Sequence, residues 1–157
     1  MKTYIINPDT FQPVEIEDWK KDADPARAQL VAISRDGIEN LLLVSKSYLP
    51  DGYTFEKAQE ACANFKPQNA PNGLTFRAPT RHECIDLYDA RFTARLDEAL
   101  RLIGGDFAKR GRYHWTCERD TDPNYANLAW FSNGYYGCMS YYGMYLTLLA
   151  LPVALYF

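Results

Sequence analysis

At 157 residues the chain has the length of one domain, and its 47% apolar content is enough for one buried core. Seventeen Lys and Arg against 20 Asp and Glu leave a formal charge of −3 with no dense basic run, which excludes a phosphate-binding face of the nucleic-acid type. Aromatic residues make up 15% of the chain and tyrosine leads them with 12, an excess that the rest of the sequence has to explain.

The N-terminal Met1-Lys2-Thr3-Tyr4-Ile5-Ile6-Asn7-Pro8 lacks the apolar stretch of about 7 or more residues that a classical signal peptide carries, so none is expected. Short β-patterned runs follow at Tyr4–Ile6, Val14–Ile16, Leu30–Ile33 and Leu41–Val44, the last two joined by the turn-forming Arg35-Asp36-Gly37. They suggest a small meander over residues 1–50. Between them, the charged stretch Glu17–Arg27 with Pro25 reads as a solvent-facing connection or one short helical turn.

From Thr54 the period becomes helical. Phe55, Ala58, Cys62 and Phe65 fall on one face behind Thr54 as N-cap, and Pro67 ends the run. A second helix is announced by Pro79-Thr80-Arg81-His82-Glu83, in which Thr80 and Glu83 form a capping box ahead of Cys84, Leu87 and Tyr88. A third, from about Thr93 to Ile103, aligns Leu96, Leu100 and Ile103 and stops at Gly104-Gly105. Helices thus occupy 54–103.

Past Arg112, over 113–157, strand patterns return. They fall at Tyr113–Cys117, Leu128–Phe131 and Tyr135–Met139, with a Ser132-Asn133-Gly134 turn and a closing strand Ala150–Phe157. The order strands, helices, strands predicts an α+β domain over 1–157, with small antiparallel sheets, two to three helices and N- and C-terminal strands paired. The longest apolar run, Leu148–Phe157, is about half of what a membrane-spanning helix needs and contains Pro152, so it reads as a core strand, and no membrane insertion is expected.

Every Lys, Arg, Asp, Glu and His lies before Asn124, and the stretch beyond holds Tyr125, Tyr135, Tyr136, Tyr141, Tyr142, Tyr145 and Tyr156 among Gly, Ser and Asn. Antibody paratopes use this mixture, because Tyr brings large contact area with only two χ angles to freeze while Ser, Gly and Asn adapt their hydrogen bonding. Packing in central strands is the competing explanation. Adjacent tyrosines point to opposite faces of a strand, however, so the Tyr135-Tyr136 and Tyr141-Tyr142 pairs cannot both be wholly buried in one. Trp130, Met139, Leu148, Pro152, Val153 and Leu155 read as buried scaffold.

Several of these segments, in this order, resemble bacterial and phage domains of the C-type-lectin-like fold, the group that includes the formylglycine-generating enzyme. Asn72 to Cys84, with Arg77-Ala78-Pro79-Thr80 and Glu83, looks like that group's W-R-L-P-T-x-x-E lead into its second helix. Thr54–Phe65 looks like its A-x-x-A-C helix, and His114-Trp115-Thr116-Cys117-Glu118 is similar to its Y-W-S-S-E strand. Ala129-Trp130-Phe131 and Leu151-Pro152-Val153 stand in the places of its A-W and R-P-V, Leu151 replacing the usual Arg. The resemblance covers residues 50 to 157 and leaves the first fifty uncovered.

Within that group the tail is similar to the variable proteins of diversity-generating retroelements, of the major-tropism-determinant type, whose C-terminal segment is mutagenised at adenines. Asparagine codons altered at their first two bases yield Tyr, Ser, Cys, Gly, Thr, Leu and Asp but never Lys, Glu, Trp or Met. Tyr125, Asn127, Ser132, Tyr135, Tyr136, Cys138, Ser140, Tyr141, Tyr142, Leu146 and Thr147 fall in that set, so the resemblance implies that they form a variable ligand-binding surface. Trp130, Met139 and Met144 fall outside it and are implied to be scaffold. The implied function is recognition of a protein or glycan receptor on a cell surface, from a phage virion or a bacterial surface, without enzymatic activity or cofactor.

Two other chemistries compete. A cysteine-dependent oxidase of the formylglycine-generating type would use Cys117 or Cys138, but no His, Asp or Glu follows Asn124 to activate a thiol there. A calcium-dependent lectin would use Asp122-Pro123-Asn124, which faintly resembles an E-P-N triplet, but its companion W-N-D is absent and the triplet suits an ordinary turn. Cys62, Cys84, Cys117 and Cys138 are widely spaced and read as free, partly buried thiols, with a disulfide framework open in principle. His82 and His114 are isolated and read as structural, so no metal is expected.

Overall fold

The computed structural model describes residues 1–19, 27–35, 37–107, 112–133 and 139–157, with the side chains of residues 139–141 outside the description. Among the described residues, eight strands and three α-helices run in the order β1 (Lys2–Ile6), β2 (Pro13–Glu15), β3 (Leu30–Ser34), β4 (Leu41–Ser45), α1 (Phe55–Ala63), α2 (Arg81–Thr93), α3 (Leu96–Leu102), β5 (His114–Arg119), β6 (Leu128–Ser132), β7 (Met139–Gly143) and β8 (Val153–Tyr156). The fold is α+β with two antiparallel sheets, of order β2-β1-β3-β4-β8 and β5-β6-β7.

The first sheet is buried on both faces, which is why Leu30–Ser34 and Leu41–Ser45 are apolar almost without alternation. One face carries Ile5, Val31, Ile33, Leu42, Val44 and Val153 against Leu87 and Ala90 of α2 and Leu96, Leu100 and Ile103 of α3. The other carries Tyr4, Ile6, Leu30, Leu41 and Leu43 beneath Phe11, Phe65 and Phe76. A third cluster covers the second sheet, where Phe55, Ala58 and Cys62 of α1 pack on Trp115, Ala129 and Phe131.

The capping box of α2 forms as expected. Glu83 N–H donates to Thr80 Oγ1 at 3.1 Å and Thr80 N–H donates to Glu83 Oε1 at 2.8 Å, each satisfying a donor that the first turn leaves free. The Arg77 guanidinium adds a two-pronged contact to the same carboxylate at 2.6 and 2.8 Å. Arg77 is held in turn by Val153, with which it exchanges both backbone hydrogen bonds. The start of α2 is thereby tied to the edge of β8.

Other elements differ from expectation. Thr54 stands at the N-cap of α1 but its side chain makes no capping bond. The third helix begins at Leu96 rather than Thr93, because α2 runs on to Thr93 and Arg95 turns the chain at φ 60° before α3 starts. The closing strand pairs with β4 and not with the first strand, since β2 and β3 already occupy both edges of β1. It spans Val153–Tyr156, and Leu155, read as scaffold, is 49% exposed at the sheet edge. Ile16–Asp18 is one 3-10 turn, while residues 20–26 of the expected connection lie outside the described residues. The expected Asp36 and Gly134 turn positions and most of the Tyr135–Met139 strand do so as well.

Candidate binding surface

The uncharged segment after Asn124 does two jobs in the fold. Its interior half is structural. Trp115, fully buried, donates from Nε1 to the Tyr53 carbonyl at 2.8 Å, and the Phe55 ring meets it edge-on at 5.6 Å. Tyr53 and Leu148 exchange backbone hydrogen bonds, and Phe55 N–H donates to the Met144 carbonyl. Met144 N–H donates to the Asn127 carbonyl at 2.9 Å. The ends of β6 and β7 are therefore fastened to the start of α1 by main-chain bonds, which leave side-chain identity free.

The outer half is exposed. Pro123–Tyr125 is a 3-10 turn begun by the Asp122 carboxylate, which accepts from Asn124 N–H at 2.9 Å, and Tyr125 is 52% exposed at its end. Asp122-Pro123-Asn124 is thus a turn. Asn127 is exposed one position before β6. β6 and β7 pair from Leu128↔Gly143 to Ser132↔Met139, with Ala129 opposite Tyr142. Tyr142 is 39% exposed, its ring 5.1 Å from that of Phe131 and 6.4 Å from that of Trp115. It is half a core residue and half a surface one.

After β7 the chain turns sharply, Leu146 N–H donating to the Gly143 carbonyl at 3.0 Å. A Cβ on Gly143 would stand 3.5 Å from both the Tyr145 ring and the Leu146 side chain, so the turn folds these two side chains back over the glycine. Tyr145 is 74% exposed and Leu146 40%. Thr147, also exposed, packs over Gly52.

Of the expected variable positions, Tyr125, Asn127, Tyr142, Leu146 and Thr147 are exposed along this stretch. Ser132 is not one of this group, being buried at the end of β6. Ser140 and Tyr141 lie in β7, opposite Phe131 and Trp130, with side chains outside the description. Tyr135, Tyr136 and Cys138 lie outside the described residues. Tyr145 is an exposed tyrosine of the uncharged segment that the expected set omits. It satisfies the same chemical filter as Tyr142, but its exposure comes from the 143–146 turn, which no periodicity announces.

The scaffold positions divide too. Pro152 and Val153 are buried, whereas Trp130 and Leu148 are half-buried. The Arg81 guanidinium lies 4.1 Å from the centre of the Trp130 ring, and the Glu118 carboxylate accepts from Arg81 N–H at 2.6 Å. Arg119 donates to Glu56 at 2.8 Å and reaches Met144 Sδ at 3.7 Å.

Cys62, Cys84 and Cys117 are free thiols. Burial pushes Cys62 up to about 12 and raises Cys84 and Cys117 as well, the nearby Arg77 only partly offsetting this at Cys117. These are poor nucleophiles at neutral pH. His114 is buried, and burial pushes it down to about 4, against the weaker pull of the Trp115 carbonyl 3.4 Å from Nδ1. Among the described residues, no three His, Cys, Asp or Glu side chains group as a metal site requires. No helix among them is long and apolar enough to cross a membrane.

A cleft of about 330 Å³ opens where β3 turns into β4, between Leu155, Phe157 and the start of α2. Another of about 480 Å³ lies within the loop from Ala63 to Phe76. The tyrosine segment lines neither of them. No protein-family model and no curated protein matches this sequence.

Proposed function

We propose that the chain is a non-enzymatic recognition protein whose working surface is the stretch from Tyr125 to Thr147. The observation that carries this is the exposure of Tyr125, Tyr142, Tyr145 and Leu146 within a segment devoid of charge. Soluble proteins seldom expose such residues together without a binding use, since uncharged aromatic surface invites association. Tyrosine suits the task because a large ring with a polar tip gains contact area at small entropic cost. The raised thiols of Cys62, Cys84 and Cys117 further favour binding over cysteine-dependent oxidation.

The motifs around Arg77–Glu83, Trp115 and Trp130 extend the reading to a C-type-lectin-like scaffold whose exposed positions are diversified by a retroelement, in a phage virion or on a bacterial surface. The main-chain ties at Met144, Leu148 and Asn127 support this, because they hold the surface in place whatever side chains it bears. Sequencing the locus in several isolates tests it. Variation concentrated at Tyr125, Asn127, Tyr142, Leu146 and Thr147, with Trp130 and Met144 constant and a reverse transcriptase nearby, is expected. An invariant tail with no reverse transcriptase would remove the diversification from the account.

A further inference from the structure

The cleft of about 330 Å³ beside the start of α2 is shaped by the first sheet. Ile33, Leu42 and Leu155 are cross-strand neighbours on β3, β4 and β8. Side chains two residues apart along a strand share a face, so the next row out is Arg35, Asn40 and Phe157, with Met1 just ahead of β1. All of these line the cleft, and the contact of Arg35 with Asp86 of α2 fixes which face it is. Further in, Leu87 and Ala90 of α2 cover this face, but at its end Met1, Leu155 and Phe157 are left exposed. The floor of the cleft is therefore apolar, while its wall, from Arg35 to His82, Glu83 and Asp86, is polar.

The acceptors on that wall are engaged and the donors are not. Both oxygens of Glu83 are taken, by the Arg77 guanidinium and by Thr80 N–H. Asp86 accepts from Arg35 Nη2, and His82 Nε2 stands 3.8 Å from its other oxygen. Arg35 keeps Nε and Nη1, and Asn40 its amide nitrogen, without an acceptor among the described residues. Glu39 is exposed beside Asn40 but does not line the cleft. A guanidinium held on one side by a carboxylate can grip a second acceptor with its remaining N–H groups, and an anionic acceptor gains most from it. We infer that the cleft binds a small carboxylate with an aromatic body, its ring on Leu42, Leu155 and Phe157 and its carboxylate on Arg35 and Asn40. An amine in the same place would meet donors. The volume lies at the low end of the range for small-molecule sites, which suits a body of about two rings. The tyrosine segment lines no part of this cleft, so the inference is independent of the recognition reading.

The test titrates isotope-labelled chain with indole-3-acetate, and in parallel with the neutral indole-3-acetamide and the cationic tryptamine, following amide shifts by NMR. The acid is expected to shift the amides of Ile33, Leu42 and Leu155 and to bind about tenfold more tightly than the amide or the amine, the difference made by one charge-assisted pair. Arg35→Gln is expected to remove the acid's advantage and leave the affinity for the amide unchanged. Phe157→Ala is expected to weaken acid and amide alike by about threefold, because both lose the same ring contact. Thermal melts check that each variant is folded. Should Arg35→Gln fail to fold, Asn40→Ala at an exposed position carries the selectivity test, with the acid expected to lose more than the amide. No saturable binding of the acid, equal binding of the three probes, shifts confined to other parts of the chain, or an acid advantage untouched by these variants overturns the inference. Tyr125→Ser with Tyr145→Ser is expected to leave the affinity for the acid unchanged; a loss there would move the site to the tyrosine segment and overturn it as well.

Discussion

Replacing His114 with Gln is expected to flatten the acid side of the stability profile. The imidazole is buried and its folded value of about 4 lies below the ordinary 6.5, so acidification charges the unfolded chain first. The stabilisation is complete above about pH 6.5 and is lost as the pH falls through about 4. A gap of about 2.5 units is equivalent to about 3 kcal/mol in full, at about 1.4 kcal/mol per unit. Between about pH 7.5 and about pH 5 the histidine alone removes about 2 kcal/mol, or about 4–8 °C in melting temperature for a domain of this size. Thermal melts of wild type and variant across that range measure the difference in slope. Carboxylates act equally in both proteins and cancel, and the absolute cost of removing the Tyr48 ring contact at 5.8 Å shifts both ends of the variant profile alike. Parallel profiles for the two proteins would refute the reasoning, because they would mean that His114 is as easily protonated in the fold as outside it.

Three further outcomes are expected. Thr80→Ala removes the acceptor for Glu83 N–H and should cost about 1 kcal/mol in a denaturant titration; no loss would mean that the capping box is idle. Gly105→Ala places a Cβ 2.8 Å from the Lys46 carbonyl oxygen, backbone that cannot swing aside, and should cost about 1–3 kcal/mol. Tyr145→Ser should change stability by less than about 0.5 kcal/mol. Tyr142→Ser should cost about 1 kcal/mol more, since its ring packs on Phe131; calorimetry of the two variants distinguishes a surface tyrosine from a half-buried one.

Local rules served well where local chemistry decides. Thr80 and Glu83 announce α2 because side chains three residues apart can each satisfy the other's backbone donor. Both apolar runs at Leu30 and Leu41 proved to be strands, their lack of alternation reflecting cover on both faces. Pairing was less legible. Whether β8 meets β1 or β4 depends on which edges remain free after β2 and β3 have docked, a property of the assembled sheet. The exposure of Leu155 follows from that edge position, since an apolar side chain at a rim looks in sequence like one in a core.

The candidate surface was legible in composition and less so in detail. The absence of charge after Asn124 marks the segment, but Ser132 and Tyr142 differ in exposure for reasons of register and not of residue type. Tyr145 depends on a tight turn over Gly143 that only the folded chain reveals. Arg81 and Trp130 are 49 positions apart and meet because the bulged strand β5 brings Glu118 to the start of α2.

The most direct test of a tyrosine recognition surface is the binding of fluorescently labelled chain to a panel of intact bacterial strains, comparing wild type with the Tyr125→Ser, Tyr145→Ser double variant at matched stability. Wild type is expected to bind a subset of strains, and the double variant to lose that binding while its melting temperature stays within about 2 °C, since two exposed rings contribute little to the core. Undiminished binding by the double variant, or a drop in melting temperature as large as that of a core truncation, would contradict the account.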